Sequence, residues 1–167
     1  MRALLGGEVA DILKKLPDTR NIFKGIKTRD IVIPKHVSMQ SGYVLNNGYS
    51  YAGEHWVVVI FTHEKVLFFD SFGRPPSELF LASQVKRYSL SIEYNPWPLQ
   101  DRHSPCCGFW CIYYFYFLCR GLKFKDINSK FSRTNFKKND RIVYNFVKKL
   151  ARKCLLPRKK YIFLKKI

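Results

Sequence analysis

The sequence predicts an α+β fold in which a small central β-sheet packs against a buried helix. Trp56–Phe61 is a continuous run of β-branched and aromatic residues, which is typical of a strand buried on both faces. Cys107–Cys119 is apolar almost all round, as expected of a central helix. The 167 residues match the size of one domain, so we expect a single domain that ends in a basic helix and tail over about residues 136–167.

The first half of the chain supplies one helix and a hairpin. Glu8–Leu16 has apolar residues at helical spacing and is followed by proline, so it predicts a short amphipathic helix. Ile31–Ile33 predicts a short extended segment, which proline also ends. Val66–Phe69 predicts a strand that pairs with Trp56–Phe61 through the polar turn Thr62–Lys65.

The second half is richer in helices. Ser77 is placed to cap a helix that runs to about Lys86, and Tyr88–Tyr94 alternates enough to predict another strand. Prolines then force an irregular segment before the buried helix. Phe136–Leu155 is the clearest amphipathic helix. Its apolar row consists of Ile142, Phe146, Leu150 and Cys154, with Val143 and Val147 beside it.

Cysteine usage indicates free thiols rather than disulfides or zinc. Four of the five cysteines lie within residues 106–119, too close along one element to staple a small secreted fold. The cysteine and histidine spacing matches no structural zinc site, so we expect no metal. No secretory leader is evident, and no apolar run reaches the ~20 residues of a membrane-spanning helix. We therefore expect a reducing, intracellular location and no membrane partner.

Positive charge is concentrated near the end of the chain. The net charge is +18, and residues 120–167 hold seventeen Lys and Arg against two Asp, which is +15 of that total. Charge runs are usually solvated surface, but this excess favours contact with a phosphate backbone. Binding should be non-specific because no sequence-reading motif accompanies it. The candidate DNA-binding residues are Lys138, Arg141, Lys148, Lys149, Arg152, Lys153, Arg158, Lys159 and Lys160.

Two polar residues flank the predicted hairpin. His55 immediately precedes one strand and Asp70 immediately follows the other. If Phe61 faces Val66, both side chains project from one face within reach of each other. A carboxylate bonded to one imidazole nitrogen would leave the other nitrogen as a general base. On the hairpin alone, a histidine at the sheet rim and a turn aspartate explain the pattern better.

A cysteine at the start of the buried helix changes that balance. Residues 100–108 read Gln-Asp-Arg-His-Ser-Pro-Cys-Cys-Gly. The free N–H groups and the positive dipole end of the helix favour a nucleophilic thiolate at Cys107. The Cys107 amide and the Gln100 side chain could donate to an oxyanion, and Gly108 lets the backbone approach a substrate closely. The rivals for these roles are Cys106 for the nucleophile, and His63 and His103 for the base.

These motifs resemble those of the adenovirus-type, or adenain-like, cysteine proteases, which are related to the ubiquitin-like-protein-specific proteases. The similarity rests on His55-Trp56 opening a hydrophobic strand, Phe69-Asp70-Ser71-Phe72-Gly73, Gln100-x6-Cys107-Gly108 and the aromatic helix that follows. A weaker similarity lies in Asn139–Phe146, where the viral enzymes carry a similar late helix. The small size and basic tail favour the viral or polinton branch.

The resemblance implies a role for each motif residue. Cys107 would be the nucleophile, His55 the base and Asp70 the orienting acid, with Gln100 and the Cys107 amide as the oxyanion hole. Trp56 would wall a narrow channel that admits glycine before the scissile bond. The adenovirus enzymes tether a peptide activator through a cysteine upstream of the glutamine, and residues 74–99 of this chain contain none. The chemistry requires no cofactor, while DNA and a peptide remain candidate activators.

The sequence therefore favours a cysteine endopeptidase that cleaves viral or element-encoded precursor proteins at apolar-x-Gly-Gly or apolar-x-Gly-x-Gly sites. We expect a DNA-associated monomer of the host nucleus or virion. An isopeptidase for ubiquitin-like proteins would use the same residues, and an acyltransferase shares the His/acid/Cys logic. A non-enzymatic basic DNA-packaging protein would leave the thiol unused. Leu4-Leu5-Gly6-Gly7 matches the cleavage pattern, but glycines that loosen the chain before a helix explain it better.

Overall fold

The computed structural model describes residues 1–28, 40–46, 55–79 and 91–155. A five-stranded mixed sheet has the strand order β1-β2-β3-β4-β5. The strands are β1 (Phe23–Thr28), β2 (Ser41–Asn46), β3 (Trp56–Phe61), β4 (Lys65–Phe69) and β5 (Ser91–Tyr94). The helices are α1 (Gly6–Lys15), α2 (Cys107–Cys119), α3 (Phe124–Asn128) and α4 (Phe136–Leu155), and Pro76–Leu79 forms a 3-10 turn.

The hairpin at the centre of the sheet has the register that the sequence predicts. β3 and β4 are antiparallel, with Phe61 opposite Val66. Thr62 closes the turn, because its hydroxyl donates to the Lys65 carbonyl at 2.7 Å. β3 also pairs with β2, so it lies inside the sheet and is buried on both faces. Its continuous apolar run is explained by that position.

The helices cover one face of the sheet. α2 packs on β3 and also contacts α1, α3 and α4. This surrounds α2 with apolar neighbours, which is why it is hydrophobic on every side. Trp110 and Tyr114 are fully buried, and the Tyr114 ring stacks on Phe69 of β4. The α+β class and the predicted bounds of α2 are confirmed.

α4 has the predicted bounds, and Phe146 and Leu150 of the predicted apolar row are partly buried against the core. The two valines predicted beside that row are more deeply buried than the row itself. Val143 and Val147 are buried, whereas Ile142 is 37% exposed. The buried row is rotated because Asn139 and Asp140 also point inward and bond to the chain before α2.

The other elements differ from the prediction at their ends. α1 begins at Gly6, so Gly6 and Gly7 form its first turn, and it ends at Lys15. The sequence pattern does not predict β1, β2 or α3. Within the described residues, Ser77 lies in the 3-10 turn and the last strand starts at Ser91. The predicted segment at 31–33, residues 80–86 of the predicted helix and residues 88–90 of the predicted strand lie outside the described residues.

Candidate active site

The register of the hairpin brings His55 and Asp70 together. His55 lies one residue before β3 and Asp70 one residue after β4, so both stand at the same end of the antiparallel pair. The His55 Nε2 and Asp70 Oδ1 atoms are 2.7 Å apart. The two residues are only 4% and 0% exposed. Because both residues are shielded from water, this hydrogen bond fixes the orientation of the imidazole ring. It leaves Nδ1 as the nitrogen available to another partner.

The Asp70 carboxylate has further partners that keep it ionised. The Phe72 N–H donates to Oδ1 at 2.8 Å, and Arg74 Nε donates to Oδ2 at 2.8 Å. Asn95 anchors the backbone on both sides, accepting from the Asp70 N–H at 3.1 Å and donating to its carbonyl at 2.7 Å. Burial alone would raise the pKa of Asp70, but the bonds to His55 and the Phe72 amide and the Arg74 charge lower it.

Gly73 makes the tight turn that follows Asp70. Its N–H donates to the Asp70 carbonyl at 2.9 Å, and its φ is +70°. A Cβ at this position would lie 2.3 Å from the carbonyl carbon of Trp97. Glycine is therefore required both by the backbone conformation and by the space. The turn places Phe72 against the imidazole, and the Phe72 and His55 rings stack with centroids 4.6 Å apart.

Cys107 is the first residue of α2 and is half-buried. Its thiol is close enough to His55 to affect the pKa of that imidazole. Burial alone would lower the pKa of His55, but the interactions with Asp70 and Cys107 raise it above its usual value. The imidazole thus interacts with both a carboxylate and a thiol.

Cys106, the rival nucleophile, has a different environment. It is fully buried, and its Sγ lies 3.6 Å from the Met1 sulfur. Burial raises the pKa of Cys106 to about 11, so it is almost entirely protonated at neutral pH. Burial also raises the pKa of Cys119 to about 12 and that of Cys111 well above its usual value. All four cysteines whose side chains are described are free.

Gln100 is buried in the loop that precedes α2. Its Oε1 accepts from the Ser71 hydroxyl at 2.7 Å, and its Nε2 donates to the Ser104 carbonyl at 2.7 Å. These two bonds fix which way the amide points. Because Nε2 carries two hydrogens, one remains for a substrate oxygen. The oxyanion role of Gln100 stays a prediction that this orientation supports.

The two residues predicted to bind substrate have well-defined neighbours. Trp56 is half-buried, and a Cβ on Gly6 would lie 3.1 Å from the end of its ring. Gly108 faces α1, where a Cβ would lie 3.1 Å from Leu4 Cβ and 3.4 Å from Val9 Cγ2. Close packing of α1 on α2 thus accounts for glycine at 108. Substrate contact by Trp56 and Gly108 stays a prediction.

The sequence predicts no role for several polar residues around the site. Most of them bond to partners that are distant in the chain, and Arg74 lies in a loop four residues after Asp70, so no local periodicity marks them. Of the rival bases, His63 lies in the hairpin turn and His103 in the loop before α2, and both are exposed. The residues missed are Ser71, Arg74, Asn95, Asn139 and Asp140.

Exposed bases cover the outer face of α4, as predicted. Within the described part of the chain, none of them lies within 4.0 Å of a carboxylate, so their charge is not neutralised locally. Arg158, Lys159 and Lys160 lie outside the described residues. The exposed bases of α4 among the predicted set are Lys138, Arg141, Lys148, Lys149, Arg152 and Lys153.

Across residues 1–28, 40–46, 55–79 and 91–155, no three His, Cys, Asp or Glu side chains come together as metal ligands would. Over the same ranges, no helix has both the length and the apolar character that crossing a bilayer requires.

The sequence matches no protein-family model and no curated protein. Among solved structures, the fold is similar to that of the ASFV pS273R protease, with a TM-score of 0.56 and 14% sequence identity. The match covers 85% of this chain and 66% of that protein, so this chain spans about two thirds of its length. The two proteins share the adenain-like α+β fold that the sequence predicts.

Proposed function

We propose that the protein is a cysteine peptidase of the adenain type. The observation that carries the proposal is the buried imidazole of His55, which is 2.7 Å from Asp70 and whose pKa the nearby Cys107 thiol affects. Such an arrangement supplies a nucleophile, a base and an orienting acid in one site. The shared fold with a viral protease agrees with this chemistry.

In the acylation step, the Cys107 proton moves to His55 Nδ1, because Nε2 is already bonded to Asp70. The thiolate then attacks the scissile carbonyl carbon, and the carbonyl oxygen becomes an oxyanion. The Cys107 N–H and the second hydrogen of Gln100 Nε2 are the proposed donors to that oxyanion. The imidazolium returns its proton to the leaving amine as the C–N bond breaks, which leaves an acyl thioester.

In the deacylation step, neutral His55 removes a proton from water, and the resulting hydroxide attacks the thioester carbonyl. The same oxyanion donors act again. The C–S bond then breaks and the peptide carboxylate leaves. The Cys107 thiolate takes its proton back from the His55 imidazolium. Asp70 stays ionised throughout and stabilises the imidazolium in both steps.

For the substrate, we propose protein precursors with glycine before the scissile bond. A narrow channel walled by the Trp56 ring would exclude larger residues there. The half-buried position of Trp56 directly after His55 is compatible with such a wall. Both apolar-x-Gly-Gly and apolar-x-Gly-x-Gly peptides are candidate substrates, and a ubiquitin-like conjugate ending in Gly-Gly is the alternative.

We also propose that α4 binds nucleic acid through its phosphates. Six exposed, unneutralised bases on one helix are the observation behind this proposal. Affinity should fall with salt with a log–log slope of roughly −0.9 per phosphate contact, and it should not depend on DNA sequence. Changing Lys148 and Lys149 to Ala should reduce that slope by about 2. A host nucleus or virion would offer such a partner, and we expect the monomer to suffice.

The test compares wild type with two neighbouring cysteine variants, Cys107→Ala and Cys106→Ala. Each is assayed on both peptide types and on a ubiquitin-like conjugate, with and without DNA, and is labelled with a Gly-Gly vinyl sulfone. Wild type and Cys106→Ala should cleave and be labelled. Cys107→Ala should lose cleavage by at least ~10³-fold and lose labelling. Labelling that survives in Cys107→Ala would assign the nucleophile elsewhere.

The substrate arms decide between the candidate functions. Cleavage of the peptides but not of the conjugate supports a precursor-processing endopeptidase. The opposite pattern supports an isopeptidase. If no substrate is cleaved and no cysteine is labelled preferentially, while DNA binding persists, the protein is a non-enzymatic DNA-binding protein.

A further inference from the structure

The loop that carries Gln100 is bound on its first side by Ser71, the residue after Asp70. The Ser71 carbonyl accepts from the Leu99 N–H at 2.9 Å and from the Gln100 N–H at 3.2 Å. The Ser71 hydroxyl donates to Gln100 Oε1 at 2.7 Å. The loop is therefore attached to the sheet at the position of the candidate acid.

The loop is bound on its second side by α4. Asn139 Nδ2 donates to the Leu99 carbonyl at 3.0 Å, and Asp140 Oδ2 accepts from the Asp101 N–H at 3.4 Å. These contacts hold the residues immediately before and after Gln100. Asn139 and Asp140 are 0% and 1% exposed, so water does not compete for the bonds.

Asp140 also bonds to the helix that carries the candidate nucleophile. Its Oδ1 accepts from Trp110 Nε1 at 2.8 Å. Trp110 is fully buried and lies one helical turn after Cys107. One carboxylate group thus joins the Gln100 loop to the first turn of α2, and it sets the distance between the two.

The orientation of Asn139 is fixed by a separate pair of bonds. Its Oδ1 accepts from the Ser132 N–H at 2.9 Å, and its Nδ2 donates to the Ser132 carbonyl at 2.7 Å. The amide therefore cannot rotate away from Leu99 without losing both bonds to Ser132. This makes Asn139 a rigid support for the loop.

We propose that Asn139 and Asp140 are positioning residues of the oxyanion hole, holding Gln100 at the correct distance from Cys107. They act through the backbone of Leu99 and Asp101 and do not touch substrate. The proposal rests on the peptidase function proposed above. The physical basis is that an oxyanion donor is effective only within about 2.7–3.1 Å of the oxygen. A small displacement of the loop therefore removes the contribution of Gln100.

The kinetic test uses Asn139→Ala and Asp140→Asn in the full chain. Asn at 140 keeps the size but has one oxygen for two N–H donors, so one bond is lost. We expect kcat to fall ~10- to 10²-fold with KM changed by less than about threefold, and Gln100→Ala to lose ~10²- to 10³-fold. Adding Asp140→Asn to Gln100→Ala should lower kcat by less than about twofold further, because both act on one donor.

The matched control is Tyr114→Phe, which removes the hydrogen bond from Tyr114 to Asn128, about two helical turns along α2 from Cys107. It should destabilise the fold without changing kcat. Two further measurements, which do not depend on turnover, are made on Asp140→Asn. Alkylation of Cys107 by iodoacetamide needs no oxyanion hole and should change by less than about twofold in Asp140→Asn. Amide hydrogen exchange at residues 99–101 should accelerate at least about tenfold, while that of α2 stays unchanged.

The outcomes separate this proposal from the function on which it rests. If wild type cleaves peptide and Asn139→Ala and Asp140→Asn keep full kcat, the positioning role is wrong and the peptidase stands. If Tyr114→Phe lowers kcat as much as Asn139→Ala and Asp140→Asn do, the loss reflects destabilisation and the positioning role is wrong. If wild type cleaves no peptide although Cys107 is alkylated normally, the proposed function fails and the oxyanion role with it.

Discussion

Replacing Asp70 by Asn is the most direct test of the His55–Asp70 pair. The change keeps the size of the side chain and removes its charge. The carboxylate serves His55 and the Phe72 amide through one oxygen and Arg74 through the other. An amide has a single oxygen, so it cannot accept from both sides. At least one N–H donor of the site then faces the NH2 group of the new side-chain amide instead of an oxygen.

The magnitude follows from these contacts. Losing a hydrogen bond to a charged group costs about 1.5–3 kcal/mol, and the full cost applies to His55 because that ring is buried. The Arg74 side chain is 33% exposed, so water compensates part of its loss and adds little. We expect the free energy of unfolding to fall by about 2–3 kcal/mol. A loss of the same size in stabilising the imidazolium should lower kcat by roughly 30- to 160-fold.

The pH profile carries the sharper signature. The bond to Asp70 opposes the effect of burial on the pKa of His55, so removing it lets that pKa fall. The acidic limb of the kcat/KM profile, where protonated His55 can no longer accept the Cys107 proton, should move to lower pH in Asp70→Asn. Glu93→Gln is the control, because it removes an exposed carboxylate paired with Lys65 and should change neither quantity by much. An acidic limb that stays in place or moves to higher pH would refute the assigned role of the pair.

Three other predictions concern stability and titration. Gly73→Ala should destabilise the protein by roughly 3 kcal/mol and lower Tm by about 6–12 °C, because the new Cβ meets the Trp97 backbone at a positive φ; an unchanged Tm would contradict the turn geometry. The pKa of Glu8 should be about 2 by NMR titration and should rise toward 4.5 in Arg2→Ala, since the Arg2 hydrogen bond is its main cause. Because the pKa of Asp70 is lowered below 3.8, its bonds stabilise the fold above that pH and are lost on acidification; unfolding free energy should therefore fall less steeply below about pH 4 in Asp70→Asn than in wild type.

Local pattern was sufficient wherever the deciding interaction lies within one hairpin or one helix. The even turn at Thr62–Lys65 determines the pairing of Phe61 with Val66, and that pairing brings His55 and Asp70 to hydrogen-bond distance. The apolar run that starts after Pro105 likewise places a thiol at a helix N-terminus. In both cases, periodicities of 2 and 3.6 residues translate directly into position.

Local pattern failed where partners are far apart in the chain. Asn95 and Asp70 are 25 residues apart, Gln100 and Ser71 are 29 apart, and Asn139 bonds to a carbonyl 40 residues earlier. Because the Asn139 side chain points inward, the buried face of α4 lies to one side of the row that its apolar residues predict. β1 and β2 form because they pair within the sheet, and their short, glycine-containing sequences show no periodicity.

By itself the sequence determined the fold class, the central hairpin, the buried helix and the identity of the four candidate catalytic residues. Only the tertiary structure decided how they are held: the Arg74 and Asn95 contacts to Asp70, the burial that makes Cys106 a poor thiolate, and the α4 bonds to the Gln100 loop. The physical reason is the range of the interactions. Period and turn length act over a few residues, whereas burial and hydrogen bonding between loops exist only once the whole chain has packed.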